Sequence, residues 1–332
     1  MARYQGSPAA VVVDLSAGTA QDGWGGIDVL LNMEDIRGSS YDDLLVGNSQ
    51  NNEIDGREGA DTLRGLAGDD TLIGRAGADY LDGGDGHDSA SYRSAPSAIF
   101  ADLSTGTVQD GTGSTDSLIN IEWISGSPFA DTMIGSARSE GFAGNDGADT
   151  IDGGGGDDEV YYSGSDTVTT GVIVKLSGWA GSLGTLPSGY TGSALDQWGN
   201  VDVFRNIIGV EGSNYNDLII GDSANNTLDG RGGSDTIDGG LGFDTVEYNQ
   251  ATGNIVVDLT QGKALDDGQG VGTASPGAAI EQDILISIEN VIGGSGNDSI
   301  TGDAMANELS GEAGDDTLSG EAGDDTLTGG DG

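Results

Sequence analysis

Asp61, Asp70, Asp79 and Asp88 stand nine residues apart, and two places after each comes a small or aliphatic residue: Leu63, Leu72, Leu81 and Ala90. Carboxylates at so regular a spacing could work in pairs as acid and base, or they could share cations. Acid-base or nucleophilic catalysis would call for a fixed partner group. The chain has no Cys, a single His (His87) at a variable turn position, and no recurring Ser or His arrangement. Every paired carboxylate belongs to the repeat, so no catalytic residue is assigned and an enzyme is not expected.

The repeat extends well beyond these four. From Gly38 six nines place Asp43, Asn52, Asp61, Asp70, Asp79 and Asp88 sixth. From Gly126 four nines place Asp131, Glu140, Asp149 and Asp158 there, and from Gly212 four place Asp217, Asn226, Asp235 and Asp244. A last block from Gly293 places Asp298, Asn307, Asp316 and Asp325. Self-similarity at a fixed period is the signature of a solenoid. Glycines admit φ > 0 and suit G-x-x-G-x-D to a tight turn. A triplet such as Thr71-Leu72-Ile73 suits a short strand with its middle side chain on one face.

Two nines then complete a coil of eighteen residues, and turns eighteen apart stack about 4.8 Å from one another. Two carboxylates that close repel by roughly 3 kcal/mol at an effective dielectric of 20. A divalent cation between them reverses the sign. Calcium fits best, because it accepts six to eight oxygens in forgiving geometry and glycine-rich turns expose carbonyls. The expected pairs are Asp43 with Asp61, Asp61 with Asp79, Asp70 with Asp88, Asp131 with Asp149, Asp217 with Asp235 and Asp298 with Asp316. Weaker or altered sites pair Asn52 with Asp70, Glu140 with Asp158, Asn226 with Asp244 and Asn307 with Asp325. One ion per pair gives roughly ten Ca²⁺.

The second nine of each block replaces Asp by Asn or Glu, and two of these turns carry bulky Arg138 and Met305 at the fourth place. Such a turn is either structural and metal-free or a site of lower charge.

The motif G-G-x-G-x-D-x-U-x resembles the RTX, or hemolysin-type, calcium-binding nonapeptide. The resemblance spans eighteen full nonapeptides, about half of the chain. It implies an all-β fold, a parallel β-roll or β-solenoid with Ca²⁺ in its turns. It also implies kinship with toxins, proteases, lipases, adhesins and surface-layer proteins exported by type I secretion, in which any catalytic part is a separate domain.

Composition agrees with a cation partner. Asp plus Glu number 56 against 11 Lys plus Arg, a net charge of −45, with 62 Gly and 35% apolar residues. Such a chain cannot bury enough apolar surface to offset an ordering cost of roughly 1–2 kcal/mol per residue. The charge also argues against nucleic acid and anionic membranes as partners. No apolar run reaches the ~18 residues of a membrane span, so membrane insertion is not expected.

Four spacers alternate with the rolls. The expected units are spacer 1–37 with the end of a preceding roll, roll 38–91, spacer 92–125, roll 126–161, spacer 162–211, roll 212–247, spacer 248–292 and a truncated roll 293–332. In each spacer a β-branched strand ends at Leu15, Leu103, Leu176 or Leu259, a variable loop follows, and Asp28, Asp116, Asp202 or Asp283 opens a second apolar stretch. These read as wider coils with loops on one face. Met33, Ile36, Ile121, Ile124, Ile207, Val210, Ile288 and Val291 are expected in the core. Asp14, Asp102 and Asp258 read as solvated strand ends, and Tyr4, Tyr92, Tyr162 and Tyr248 as packing rings that close a roll. Tyr4 to Leu15 repeats the spacing of Tyr92 to Leu103, which predicts a segment of a longer array.

The leading expectation is a calcium-dependent folding and spacer module of a larger secreted or cell-surface bacterial protein, adhesin or surface-layer in type, whose partners are calcium ions and neighbouring repeats of the parent chain. One alternative is a glycan-binding module using loops around Trp179, Tyr190 and Trp198. Another is a non-catalytic C-terminal support domain of a secreted enzyme or toxin.

Overall fold

The structure, a computed structural model, describes residues 1–163, 168–177, 186–266 and 282–332, and among them every regular element is a strand. Two compact units divide the chain, residues 1–158 and 159–332. Both are parallel β-rolls, as the sequence predicts.

In the first unit, one sheet runs through Ala2–Arg3, Ile36–Arg37, Glu53–Glu58, Thr71–Ala76, Ser89–Ser91, Trp123–Ser125 and Gly141–Ala143, each parallel to the next. The opposite sheet holds Val12–Asp14, Leu44–Val46, Thr62–Ala67, Tyr80–Asp85 and Thr115–Ile119 in parallel order. Register follows the eighteen-residue coil: Leu45 meets Leu63, which meets Leu81. On the first sheet Ile54, Leu72, Ala90, Ile124 and Phe142 stack in the same way. All eight side chains are fully buried. The apolar residue two places after each sixth-place residue therefore supplies the inward side chain of its strand.

The second unit repeats this plan. One sheet holds Glu159–Tyr161, Gly209–Glu211, Thr227–Asp229, Thr245–Glu247, Asn290–Ile292, Glu308–Ser310 and Thr326–Thr328. Opposite lie Ile173–Lys175, Leu218–Ile220, Thr236–Asp238 and Asp283–Ile286, and separately Val256–Asp258, Ser299–Thr301 and Thr317–Ser319.

The spacers depart from the expected loops. Each is an antiparallel three-stranded meander, as in Phe100–Asp102, Thr107–Gln109 and Thr115–Ile119. In this spacer the last strand adds in parallel to the roll before it, at Tyr80–Asp85, and the first to the roll after it, at Thr132–Ile134. The middle strand is only three residues, but Val108 points inward and is fully buried while Thr107 and Gln109 point out. Gly106, at φ 64°, reverses the chain before that strand, and a Cβ there would stand 2.7 Å from the carbonyl oxygen of Leu118. A strand this short inside a run of Gly, Ser, Thr and Asp leaves too little alternation to read from sequence.

Most of the expected spacer core is buried, including Ile36, Ile121, Ile124, Ile207, Val210, Ile288 and Val291, whereas Met33 is half-buried. The four tyrosines are buried, and each also donates its hydroxyl to the spacer aspartate: Tyr4 to Asp28 at 3.1 Å, Tyr92 to Asp116 at 3.0 Å, Tyr162 to Asp202 at 3.1 Å and Tyr248 to Asp283 at 3.1 Å. Asp14, Asp102 and Asp258 accept hydrogen bonds from the turn residues just after them, such as Ser16, Ser104 and Thr260.

Truncating one rung should tell core from surface. In calcium, Leu63→Ala is expected to lower unfolding stability by about 2–5 kcal/mol, and Val12→Ala, on the exposed side of its strand, by at most about 0.5 kcal/mol. Urea denaturation measures both.

Candidate metal centre

Two left-handed residues shape a turn such as Gly65-Leu66-Ala67-Gly68-Asp69-Asp70: Leu66 at φ 88° and Gly68 at φ 105°. A Cβ on Gly65 would lie 2.0 Å from Oδ2 of Asp70 and 2.5 Å from the carbonyl of Gly83, one coil on. Glycine stands first because that carboxylate oxygen and that carbonyl converge beside it.

All ten expected pairs are brought together. In each, the backbone N–H of the earlier residue donates to Oδ1 of the acid eighteen residues later: Asp43 to Asp61 at 2.8 Å, Asn52 to Asp70 at 2.7 Å, Asp61 to Asp79 and Asp70 to Asp88 at 2.8 Å. The same bond links Asp131 to Asp149 at 2.8 Å, Glu140 to Asp158 at 2.9 Å, Asp217 to Asp235 at 2.7 Å and Asn226 to Asp244 at 2.8 Å. It also links Asp298 to Asp316 at 2.8 Å and Asn307 to Asp325 at 3.0 Å. One oxygen of each later carboxylate is thus committed to the backbone.

The second oxygen separates the turns into two kinds. Oδ2 of Asp61, Asp70, Asp79, Asp88, Asp158, Asp244 and Asp316 has no hydrogen-bond partner and is buried. The opening turns of each roll differ. Asp43, Asp131 and Asp217 accept from both the backbone N–H and the hydroxyl of Ser39, Ser127 and Ser213, and Asp298 accepts from the Gly294 N–H. Asn52, Glu140, Asn226 and Asn307 likewise accept the second-place N–H. In open turns that N–H is rotated away, because the second residue is left-handed: Arg57, Leu66, Arg75, Gly84, Gly154, Gly240 and Glu312 all have positive φ.

The structure also accounts for the amides. Nδ2 of Asn307 donates to the Glu289 carbonyl at 2.8 Å, and that of Asn226 to the Ile208 carbonyl at 3.2 Å. An aspartate could not donate to those spacer carbonyls.

Burial dominates the electrostatics of the open turns. Loss of solvent pushes Asp61 up to about 8, with its stacked neighbours Asp79 and Asp43 adding to the rise. Burial likewise raises Asp70 and Asp158 to about 7, and Asp79 and Asp88 to about 6. Asp55 shows the other solution to the same problem. Fully buried, it is held by Arg75 at 2.6 Å and Arg37 at 2.9 Å. No ion pair joins Asp61, Asp70, Asp79 or Asp88 to a basic side chain among the described residues. An orphaned anionic oxygen beside a carbonyl, in an all-oxygen setting, fits a hard cation such as Ca²⁺. Among the described residues no three acidic or imidazole side chains converge, so a cation here would take two carboxylates and fill its shell with backbone carbonyls.

Four ladder residues escaped the sequence reading. The Asp79 N–H donates to Asp116 and that of Asp235 to Asp283, both at 2.9 Å, while those of Asp88 and Asp244 donate to Glu122 at 3.0 Å and Glu289 at 2.9 Å. The signal was present: Asp116-Ser117-Leu118, Glu122-Trp123-Ile124, Asp283-Ile284-Leu285 and Glu289-Asn290-Val291 keep the acid-x-aliphatic triplet without its glycines.

The aromatic residues suggested for glycan binding do not form a described platform. Trp179 lies outside the described residues, Arg205 covers the ring of Tyr190 at 5.6 Å, and Trp198 is partly exposed.

A family model, the RTX calcium-binding nonapeptide repeat (4 copies), matches residues 34–63, 55–90, 142–168, 211–246, 287–304 and 301–332, together half of the chain. No curated protein matches it.

The raised carboxyl values fix the sign of a pH effect. Unfolding returns these groups to about 3.8, so without divalent cations their contribution is fully present below that value and is lost as pH rises through about 6 to 8. Chelated protein is expected to keep more strand signal at pH 5 than at pH 8 by circular dichroism; equal or greater signal at pH 8 contradicts this.

Proposed function

Because the chain belongs to the family of RTX calcium-binding nonapeptide repeats, we propose that its calcium sites govern its folding, and that it serves as a spacer module in a larger secreted or cell-surface protein of adhesin or surface-layer type. It is a calcium-binding repeat module of the β-roll class. The observation that carries the rest is the set of buried Oδ2 atoms without a partner.

A bound dication supplies the positive charge that those oxygens lack. The chain's own residues do the remainder. Left-handed second and fourth places hold the turn open, first-place glycines let the carbonyls approach, and the Asp N–H to carboxylate bonds fix the spacing. The strongest sites in this reading are those in which both turns are open, Asp61 with Asp79 and Asp70 with Asp88. Serine-capped Asp43, Asp131 and Asp217 hold their ions less tightly.

Without calcium, a chain of net charge −45 lacks the apolar core to fold against its own repulsion. Sites in the extracellular range of roughly 10⁻⁴–10⁻³ M would be empty at cytosolic calcium and filled outside the cell. Such a chain is threadable during export and winds up afterwards, which supports placing it in a protein secreted by the type I route.

Calcium titration followed by circular dichroism tests this. Strand signal is expected to rise with calcium and to vanish with chelator; a signal indifferent to chelator would sink the reading. Asp70→Asn is expected to raise the midpoint about tenfold, and the exposed neighbour Asp69→Asn, which removes the same charge, less than about twofold.

A further inference from the structure

Asp88 and Asp244 end their rows of repeats, yet each keeps a fully buried Oδ2 with no hydrogen-bond partner. In a regular turn that oxygen faces the first-place carbonyl of the following coil, as Oδ2 of Asp70 faces the Gly83 carbonyl across Gly65. No nonapeptide follows Asp88 or Asp244; a spacer does.

The spacer nevertheless reproduces the missing carbonyl. A Cβ on Gly83 would lie 2.4 Å from Oδ2 of Asp88 and 2.2 Å from the carbonyl oxygen of Asn120. A Cβ on Gly239 would lie 2.5 Å from Oδ2 of Asp244 and 2.3 Å from the carbonyl oxygen of Ser287. Asn120 and Ser287 are left-handed, at φ 50° and 51°. The Asn120 side chain is held by Asp82 at 3.1 Å, which helps to fix that peptide.

A carboxylate follows two residues later in both spacers. Glu122 and Glu289 accept the N–H of Asp88 and Asp244 and return their own N–H groups to the same residues' carbonyls, at 3.0 and 3.1 Å. In a nonapeptide five residues separate the first-place carbonyl from the acid; here only two do. The extra methylene of glutamate restores the reach that the shorter backbone removes. The third spacer has Ile208 at the corresponding place in the sequence.

We propose that Glu122 with Asp88, and Glu289 with Asp244, complete two further calcium sites in which the spacer carbonyls of Asn120 and Ser287 replace those of a nonapeptide. The inference rests on the calcium reading above and extends it to residues outside the repeat. Arg138, 3.8 Å from Oε1 of Glu122, is the one basic group near either glutamate among the ion pairs of the described residues. It neutralises part of the first site, so the site at Glu289 binds more tightly.

Native mass spectrometry of the full chain in calcium tests this with the double variant Glu122→Gln, Glu289→Gln. Glutamine keeps an oxygen to accept the Asp N–H and removes only the charge. At the lowest calcium concentration that saturates the wild type, the variant is expected to carry two fewer ions, with its strand signal retained. An unchanged ion count overturns the proposal. So does loss of every ion of a roll, which would make the glutamates structural clasps. Should the double variant not fold in calcium, Glu289→Gln alone, expected to lose one ion, decides by the same criteria. Failure of the underlying reading is distinguishable, because the wild type would then carry no ions at all.

Discussion

A carboxylate oxygen that is buried, charged and unpaired is among the costliest groups a protein can hold, and this chain repeats one at turn after turn. The remaining features follow from that constraint. Parallel stacking at eighteen residues brings the acids into rows, the N–H of each earlier residue takes one oxygen, and the second is left for something outside the polypeptide. The core cannot override the penalty, since each nine contributes a single inward aliphatic side chain such as Leu63 or Leu72. Protons can neutralise the row, as the raised Asp61 and Asp70 values imply, but a divalent ion does so while attracting both neighbours at once.

The spacers are where a row has to stop, and they use two endings. Asp116 and Asp283 receive the last N–H of their row on one oxygen and a buried tyrosine hydroxyl on the other, so those rows close with both oxygens satisfied. Glu122 and Glu289 receive the last N–H of the opposite row, opposite an acid whose second oxygen is unfilled. Each roll also begins with turns that fill their own carboxylates, through Ser39, Ser127 and Ser213 in the first three and the Gly294 N–H in the fourth. Within a roll the ion-seeking turns therefore come after the self-capped ones.

Much of this was legible in the residues. Period nine, the acid at the sixth place and the aliphatic at the eighth gave the coil, the register and all ten stacked pairs, because sheet stacking admits only one register for that period. Three things were not. The middle strand of each spacer, such as Thr107–Gln109, is too short for its alternation to stand out. The difference between self-capped and open turns depends on backbone handedness at Ser39 as against Arg57 or Leu66, and neither Arg nor Leu is a residue type that marks a positive φ in the sequence. Glu122 and Glu289 were hidden because the glycines that announce a turn are absent before them, although the acid-x-aliphatic triplet is intact.

Small-angle scattering from the purified chain, with calcium and after exhaustive chelation at pH 8, tests most directly whether cations hold the ladder together. A compact particle in calcium is expected to expand toward the roughly 65 Å radius of gyration of an unfolded chain of this length once the metal is removed. An unchanged radius after chelation would show that the buried carboxylates are tolerated without a cation, and would contradict the account.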